Sequence, residues 1–237
     1  MIKVLATGSS GNCYLIKAKN ETLILECGIA AKRILSGLEY DLKSVVGCLI
    51  THEHKDHCKA VNEILKQGIN IYLSEGTAAG IEFKDILHGH RINYVSAGQQ
   101  FKVGNFNIMP FDTRHDVNEP LGFLIQHNEL GKIVFATDTF YLKSKFKDVD
   151  HVLIECNYSD EALKDLPPYR ARVLKSHMSL ETLKETLSTW DLRKTKDITL
   201  IHISGDNGDP ERFKTEISRL TGIPTYVAEP GLEITDF

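Results

Sequence analysis

Residues 52–57 read His52-Glu53-His54-Lys55-Asp56-His57, three imidazoles and a carboxylate at the fifth place of six, in a 237-residue chain with ten histidines. Neutral imidazole is the commonest metal ligand, and alternate residues of an extended segment send their rings to one side. His52 and His54 can therefore share one cation. Asp56 and His57, where the chain turns toward a helix, can reach a second. The apolar, β-branched-rich run Val45–Thr51 leads into this cluster, placing it at the mouth of a buried strand, where polar groups are costly without partners. A loop that merely happens to hold histidines explains this crowding poorly.

Four more positions carry chemistry that the residues alone leave open. Asp138 follows Ile133-Val134-Phe135-Ala136. It reads either as an Asx-turn or cap, or as a carboxylate bridging two cations, which its two oxygens allow and an imidazole does not. Taken alone, His115 in a polar loop after Phe111 is a solvated histidine, and His202 within Ile198–Ile203 is a hydrogen-bonded core histidine. His177 follows Arg170, Arg172 and Lys175 and precedes Ser179, the expected N-cap of a helix with Leu180, Leu183 and Leu187 on one face. That stretch is a phosphate-binding turn or a solvated basic one. His88-Gly89-His90 has no acid after it and no strand before it, so a solvated loop is expected. Lys143, Lys145 and Lys147 alternate with Ser144 and Phe146 and read as a solvated face.

The elements that must hold these residues are legible from period and punctuation. Strands are expected at Tyr14–Ala18, Thr22–Glu26, Val45–Thr51, Asn70–Leu73, Phe106–Phe111, Gly122–His127, Lys132–Ala136, His151–Glu155, Asp197–Ile203 and Thr225–Val227. Asn128–Gly131 is a hairpin turn between two of them. Helices are expected over Lys59–Lys66, stopped by Gly68, and from Asp209-Pro210-Glu211 onward. With no repeat or linker, residues 1–237 read as a single domain, with no inserted or appended one. A formal charge of −4, with 42% hydrophobic and 25% charged residues, fits a soluble globular chain with no overall attraction to nucleic acid or anionic membrane. The first residues reach Gly8-Ser9-Ser10-Gly11 too soon for a signal peptide, and no apolar run spans a membrane. Five cysteines without a C-x-x-C pair suit reduced thiols, so a cytoplasmic location is expected.

Thr51–His57 resembles the H-x-H-x-D-H signature of the metallo-β-lactamase superfamily. Gly8–Tyr14, Leu23–Gly28, Asp112–Phe123, Ala136–Thr139, Tyr169–Ser179 and Leu200–Ser204 are similar to segments of its YycJ (WalJ) subfamily. Members usually carry Asp in the first motif, where this chain has Glu26. The resemblance implies an α/β fold, the four-layer αββα sandwich, and two divalent metal ions, zinc or manganese. It implies His52, His54, His115 and Asp138 as ligands of one ion, and Asp56, His57, Asp138 and His202 as ligands of the other. Asp56 is then catalytic as well. His177 is implied as a non-ligand catalytic group that meets the scissile phosphate, with Arg170, Arg172, Lys175 and Ser179 as substrate contacts.

Two cations held by N and O ligands suit hydrolysis by a bridging hydroxide. The basic stretch before His177 favours a phosphodiester, and the resemblance a DNA exonuclease. A cyclic nucleotide phosphodiesterase is the alternative, and a glyoxalase II-type thioester hydrolase a further one. The stretch between Asp138 and His202 is already filled by strand and helix, leaving no place for a β-CASP-like insertion. The expected partner is a phosphodiester substrate, single-stranded nucleic acid or cyclic nucleotide. No membrane is expected, and a homodimer is an admissible assembly.

Overall fold

The computed structural model describes residues 1–84, 86–164, 166 and 176–235. The strands are β1 (Ile2–Ala6), β2 (Cys13–Lys17), β3 (Thr22–Leu25), β4 (Val45–Leu49), β5 (Ile71–Leu73), β6 (Ile92–Tyr94), β7 (Phe101–Val103), β8 (Phe106–Asp112), β9 (Leu121–His127), β10 (Gly131–Ala136), β11 (His151–Glu155), β12 (Asp197–Ile201), β13 (Thr225–Val227) and β14 (Glu233–Ile234). They form two seven-stranded mixed sheets, ordered β14-β1-β2-β3-β4-β5-β6 and β13-β12-β11-β10-β9-β8-β7. Helices are α1 (Ala31–Gly37), α2 (Lys55–Cys58), α3 (Val61–Lys66), α4 (Glu75–Ala79), α5 (Leu180–Ser188) and α6 (Pro210–Thr221).

Strand alternation explains why the layers stack as four. Tyr14, Ile16, Leu23 and Leu25 point inward and meet Phe106, Phe123, Ile133 and Phe135 of the second sheet in one buried cluster. The residues between them, Cys13, Leu15 and Ile24, face outward and pack with Ile34 of α1 and Val61, Ile64 and Leu65 of α3. On the far side Val134, Val152, Ile154, Ile198 and Leu200 pack with Leu180, Leu183 and Leu187 of α5 and Phe213 and Ile217 of α6. A strand covered on both faces must be apolar at every position, as β11 and β12 nearly are. The result is the expected αββα sandwich.

All ten expected strands form, with ends that differ where function begins. β3, β4 and β12 stop at Leu25, Leu49 and Ile201, short of Glu26, Thr51 and His202. Glu26 and His202 take left-handed backbone, φ 64° and 53°, which ends extended pairing at those residues. The helix expected at Lys59 begins at Val61 and ends before Gly68, whose φ of 83° suits glycine. Ser179 caps α5 and Asp209 caps α6, each accepting a hydrogen bond from the amide three residues on. Among the described residues no helix is long and apolar enough to cross a membrane.

Within each sheet, parallel strands end at the same edge: β3 beside β4 in one, β10, β11 and β12 in the other. The opposite edge is tied by Glu21, just before β3. Its carboxylate accepts from the Asn105 amide (3.0 Å), Asn105 Nδ2 (2.8 Å) and His127 Nε2 (3.1 Å). The Glu129 amide donates to His127 Nδ1, so the ring proton sits on Nε2 and points at Glu21. Burial pushes the Glu21 pKa up, but these three donors outweigh it and the net shift is downward. A depressed carboxylate adds stability above its unfolded pKa, and that stability is lost as pH falls through the folded value. Glu21→Gln, which turns an amide NH₂ toward donors, should cost about 1–2 kcal/mol in urea unfolding at pH 7. The difference from wild type should shrink at acid pH below the ordinary glutamate range; a difference that stays constant with pH would show that the charge is not what matters.

Candidate metal centre

The chain between β4 and α2 holds the histidine cluster, and its shape is imposed by backbone clamps from the neighbouring loops. Asn12 N donates to Asp56 O (2.7 Å), Cys27 N to His57 O (2.8 Å) and Gly28 N to Asn12 O (2.9 Å). Gly28 lies so close that a Cβ there would overlap the Asp56 carbonyl, and only glycine permits that approach. His54 takes extended backbone as the residue capping α2, while Asp56 and His57 fall in its first turn. The extended-then-helical path therefore divides the four side chains into two pairs.

One group comprises His52, His54, His115 and Asp138, with donor atoms all within 4.8 Å of one another. His115 Nδ1 donates to Ser176 O at 3.1 Å, which turns Nε2 inward as a lone pair. That Nε2 and His52 Nε2 each lie 3.2 Å from His54 Nδ1. His52 Nδ1 is held from behind by Thr51 Oγ1 at 2.9 Å. A second group comprises Asp56, His57, Asp138 and His202. His57 Nε2 and His202 Nε2 stand 3.3 and 3.5 Å from Asp56 Oδ2.

Asp138 belongs to both groups and divides its oxygens between them. Oδ1 faces His57 and His202 at 3.4 and 3.5 Å, and Oδ2 faces His52 and His115 at 3.8 and 3.7 Å. It sits just beyond β10 in left-handed backbone, φ 47°, with Thr137 Oγ1 donating to Oδ1 at 2.7 Å. Converging lone pairs of this kind repel unless a cation stands among them, and imidazole nitrogens with carboxylate oxygens are the donor set of a divalent metal. The residues therefore fit metal ions.

Charges in the protein alone are strongly coupled. Burial would neutralise Asp138, yet His202, His57 and His52 hold its pKa well below the usual range. Burial lowers His202, but Asp138, Asp56 and Glu155 raise it to about 10. Burial keeps His52 and His115 well toward the neutral form, as a metal ligand requires.

Glu26 and Glu155 stand behind the imidazoles. Glu26, fully buried, accepts from Thr51 N at 3.2 Å, and its Oε1 lies 3.6 Å from His57 Nδ1, an atom with no hydrogen bond of its own. The glutamate thus reaches the histidine loop as the usual aspartate is expected to. Glu155, at the end of β11, accepts from Thr139 N (2.7 Å) and Met178 N (3.2 Å) and pairs with His177 Nδ1 at 2.7 Å. Its Oε1 is also 3.4 Å from His202 Nδ1. Sequence reasoning passed over Glu155, although its signal, an acid at the tip of an apolar strand, is the one that marks Asp138. Carboxylates placed so fix ring orientation and tautomer.

His177 joins a third group, Asp138, Glu155, His177 and His202, which is held by the Glu155–His177 hydrogen bond rather than by inward-facing lone pairs. Burial lowers the His177 pKa, but Glu155 outweighs it and the net shift is upward. A cleft of about 300 Å³ opens on His54, Asp56, His115, Asp138, His177 and His202. Arg170, Arg172 and Lys175 lie outside the described residues. Ser179, expected as a substrate contact, is 2% exposed, and its hydroxyl bonds to Thr182 in capping α5. His88 and His90 lie in a short 3₁₀ turn and join none of these groups.

A family model described as "Beta-lactamase superfamily domain" matches residues 25–203. Exodeoxyribonuclease YycJ of Bacillus anthracis is 27% identical over 98% of this chain and 93% of its own length. Exodeoxyribonuclease WalJ of Streptococcus pneumoniae is 29% identical over 88% of this chain and 83% of its own. Among solved structures, the metallo-β-lactamase fold protein YhfI of Bacillus subtilis superimposes with a TM-score of 0.71 at 17% identity, covering 98% and 97% of the two chains. Fold, histidine signature and full-length relatives agree, and the chain belongs to the metallo-β-lactamase superfamily as one of its metal-dependent hydrolases.

Proposed function

We propose that the protein is a dinuclear metal-dependent phosphodiesterase that cleaves nucleic acid in the manner of a DNA exonuclease. Two relatives that cover most of the chain carry the name exodeoxyribonuclease. His52, His54, His115 and Asp138 would hold one ion, and Asp56, His57, Asp138 and His202 the other, with Asp138 bridging. Zn²⁺ and Mn²⁺ both suit these ligands. Such ions supply a hydroxide nucleophile at neutral pH and stabilise the charge that develops on the phosphoryl oxygens.

The observation that carries the phosphodiester reading is the Glu155–His177 pair beside, and outside, the two donor groups. With Nδ1 bonded to Glu155, His177 keeps Nε2 for a substrate oxygen. Glu155 favours the protonated ring, so His177 can give a proton to a departing alkoxide, a poor leaving group without one. A thioester, whose thiolate departs without protonation, asks for no such acid. Glu155 also touches His202, so one carboxylate orients both the acid and a ligand.

Metal content, chelation and the variants of the two late histidines test this reading. Protein purified without chelator should hold close to two divalent ions per chain by elemental analysis, and Asp138→Ala should lose both; a single site indifferent to that change would sink the bridging assignment. Chelation should abolish cleavage of single-stranded DNA and of bis(p-nitrophenyl) phosphate, with lactoylglutathione turnover absent or marginal. His177→Ala should keep its metal and lose ~10²–10⁴ in rate on DNA, but far less on the nitrophenyl ester, whose leaving group needs little protonation. His202→Ala should lower metal content and damage both substrates alike. Metal lost from His177→Ala and retained in His202→Ala would reverse the two roles.

A further inference from the structure

Beyond Asp138 the chain turns outward and exposes two consecutive aromatics, Phe140 at 47% and Tyr141 at 48%. Exposed aromatic side chains usually sit on yielding loops, but this backbone is pinned. Thr139 N donates to Glu155, Arg114 N to Thr139 Oγ1 (2.9 Å), Thr139 Oγ1 to Tyr141 O (2.8 Å) and Phe140 N to Arg114 O (3.0 Å). Leu142, buried, anchors the next residue in the core above β10 and β11. The rings therefore project from a rigid edge that begins two residues from the shared carboxylate.

The same edge forms one wall of a cleft of about 230 Å³ whose other wall is α5, the helix that follows His177. Tyr141, Lys143 and Lys145 line the first wall, and Thr182, Glu185 and Thr186 the second. Lys143 and Lys145 are exposed, and no described carboxylate forms an ion pair with either. Among the described residues, Glu185 is the one acid lining the cleft. Alternation of Lys143, Ser144, Lys145 and Phe146 places the two lysines on one side of the strand-like segment, with Phe146 packed against Phe111 and Trp190 on the other.

With the phosphodiesterase reading as premise, we propose that this cleft carries the chain of a single-stranded polynucleotide away from the metal centre, with a base on Tyr141, phosphates at Lys143 and Lys145, and Phe140 exposed on the adjoining edge as a further stacking face. Flat rings accept any base by stacking, and cations spaced along a groove track the backbone without reading sequence. A cyclic mononucleotide is consumed whole at the metals and has nothing to place here. A net charge of −4 is no obstacle, because the field that matters is local to the groove.

The test uses the metal-loaded protein, wild type and the variants Tyr141→Ala and Lys143→Ala/Lys145→Ala, on thymidine oligomers of two to about twenty nucleotides and on bis(p-nitrophenyl) phosphate. Binding is read by anisotropy with a phosphorothioate-linked 20-mer that resists cleavage. Wild type should bind and cleave longer oligomers better. Each variant should bind the 20-mer roughly tenfold more weakly, and its kcat/KM for the 20-mer relative to the nitrophenyl ester should fall by a similar factor. Loss of two phosphate contacts should reduce the log–log salt slope by about 1.4. Unchanged binding and an unchanged ratio would overturn the groove, as would a wild type that hydrolyses the ester but treats dimer and 20-mer alike. If no phosphodiester is cleaved at all while the variants still lose 20-mer binding, the groove stands and the catalytic reading falls.

Discussion

The carboxylate of Asp138 is 2% exposed and faces five imidazoles, those of His52, His57, His115, His177 and His202, at 3.4 to 3.9 Å. An ionised carboxylate taken out of water costs several kcal/mol unless countercharge surrounds it. Everything at this end of the molecule meets that demand. The first sheet supplies His52 and His57 through a loop clamped by Asn12, Cys27 and Gly28; the second supplies His115 and His202 from the chain just past β8 and β12, and His177 comes from the turn before α5. A cation between the rings answers the same demand more completely than protons do. Metal binding and folding of this edge are therefore coupled.

Three of the six described non-glycine residues with left-handed backbone lie at the same place. Glu26, Asp138 and His202 all have φ between 47° and 64°, a region costly for residues with a Cβ. Each comes directly after a parallel strand or one residue beyond it, where the ladder ends and the chain must turn its side chain into the space between the sheets. A strand continued through His202 would alternate that ring by the pleat and leave its direction to the sheet. The left-handed turn instead aims Nε2 at Asp56 and Asp138 while Nδ1 faces Glu155.

Legibility in the sequence followed burial. β10, β11 and β12 are covered on both faces and so read as largely apolar runs, and the histidine loop stands out because polar residues follow the apolar run of β4 so abruptly. β6, β7 and β14 are two or three residues long, and their pairing is decided by partners distant in sequence, so no local period marks them. β1 alternates buried and half-buried residues over only five positions, too few for the period to stand out. The positive φ of His202 had only a weak residue signal, since histidine is enriched at positive φ but rarely adopts it. Glu155 had one, at the end of His151–Glu155, but a glutamate there is interpretable only once Thr139, Met178 and His177 are known to surround it.

The two sheets are joined by an apolar core and by polar contacts at both ends, and these differ in kind. At one pole Glu21 is matched by three protein donors and needs nothing else. At the other, imidazole nitrogens and carboxylate oxygens of two groups converge around Asp138, the donor set of a divalent cation. That difference separates a structural tie from a reactive one. A self-satisfied carboxylate adds stability and is chemically idle, whereas converging imidazoles and carboxylates are arranged for a cation. The core between them keeps the opposing strand ends at fixed spacing, which lets Asp138 reach residues of both sheets with its two oxygens.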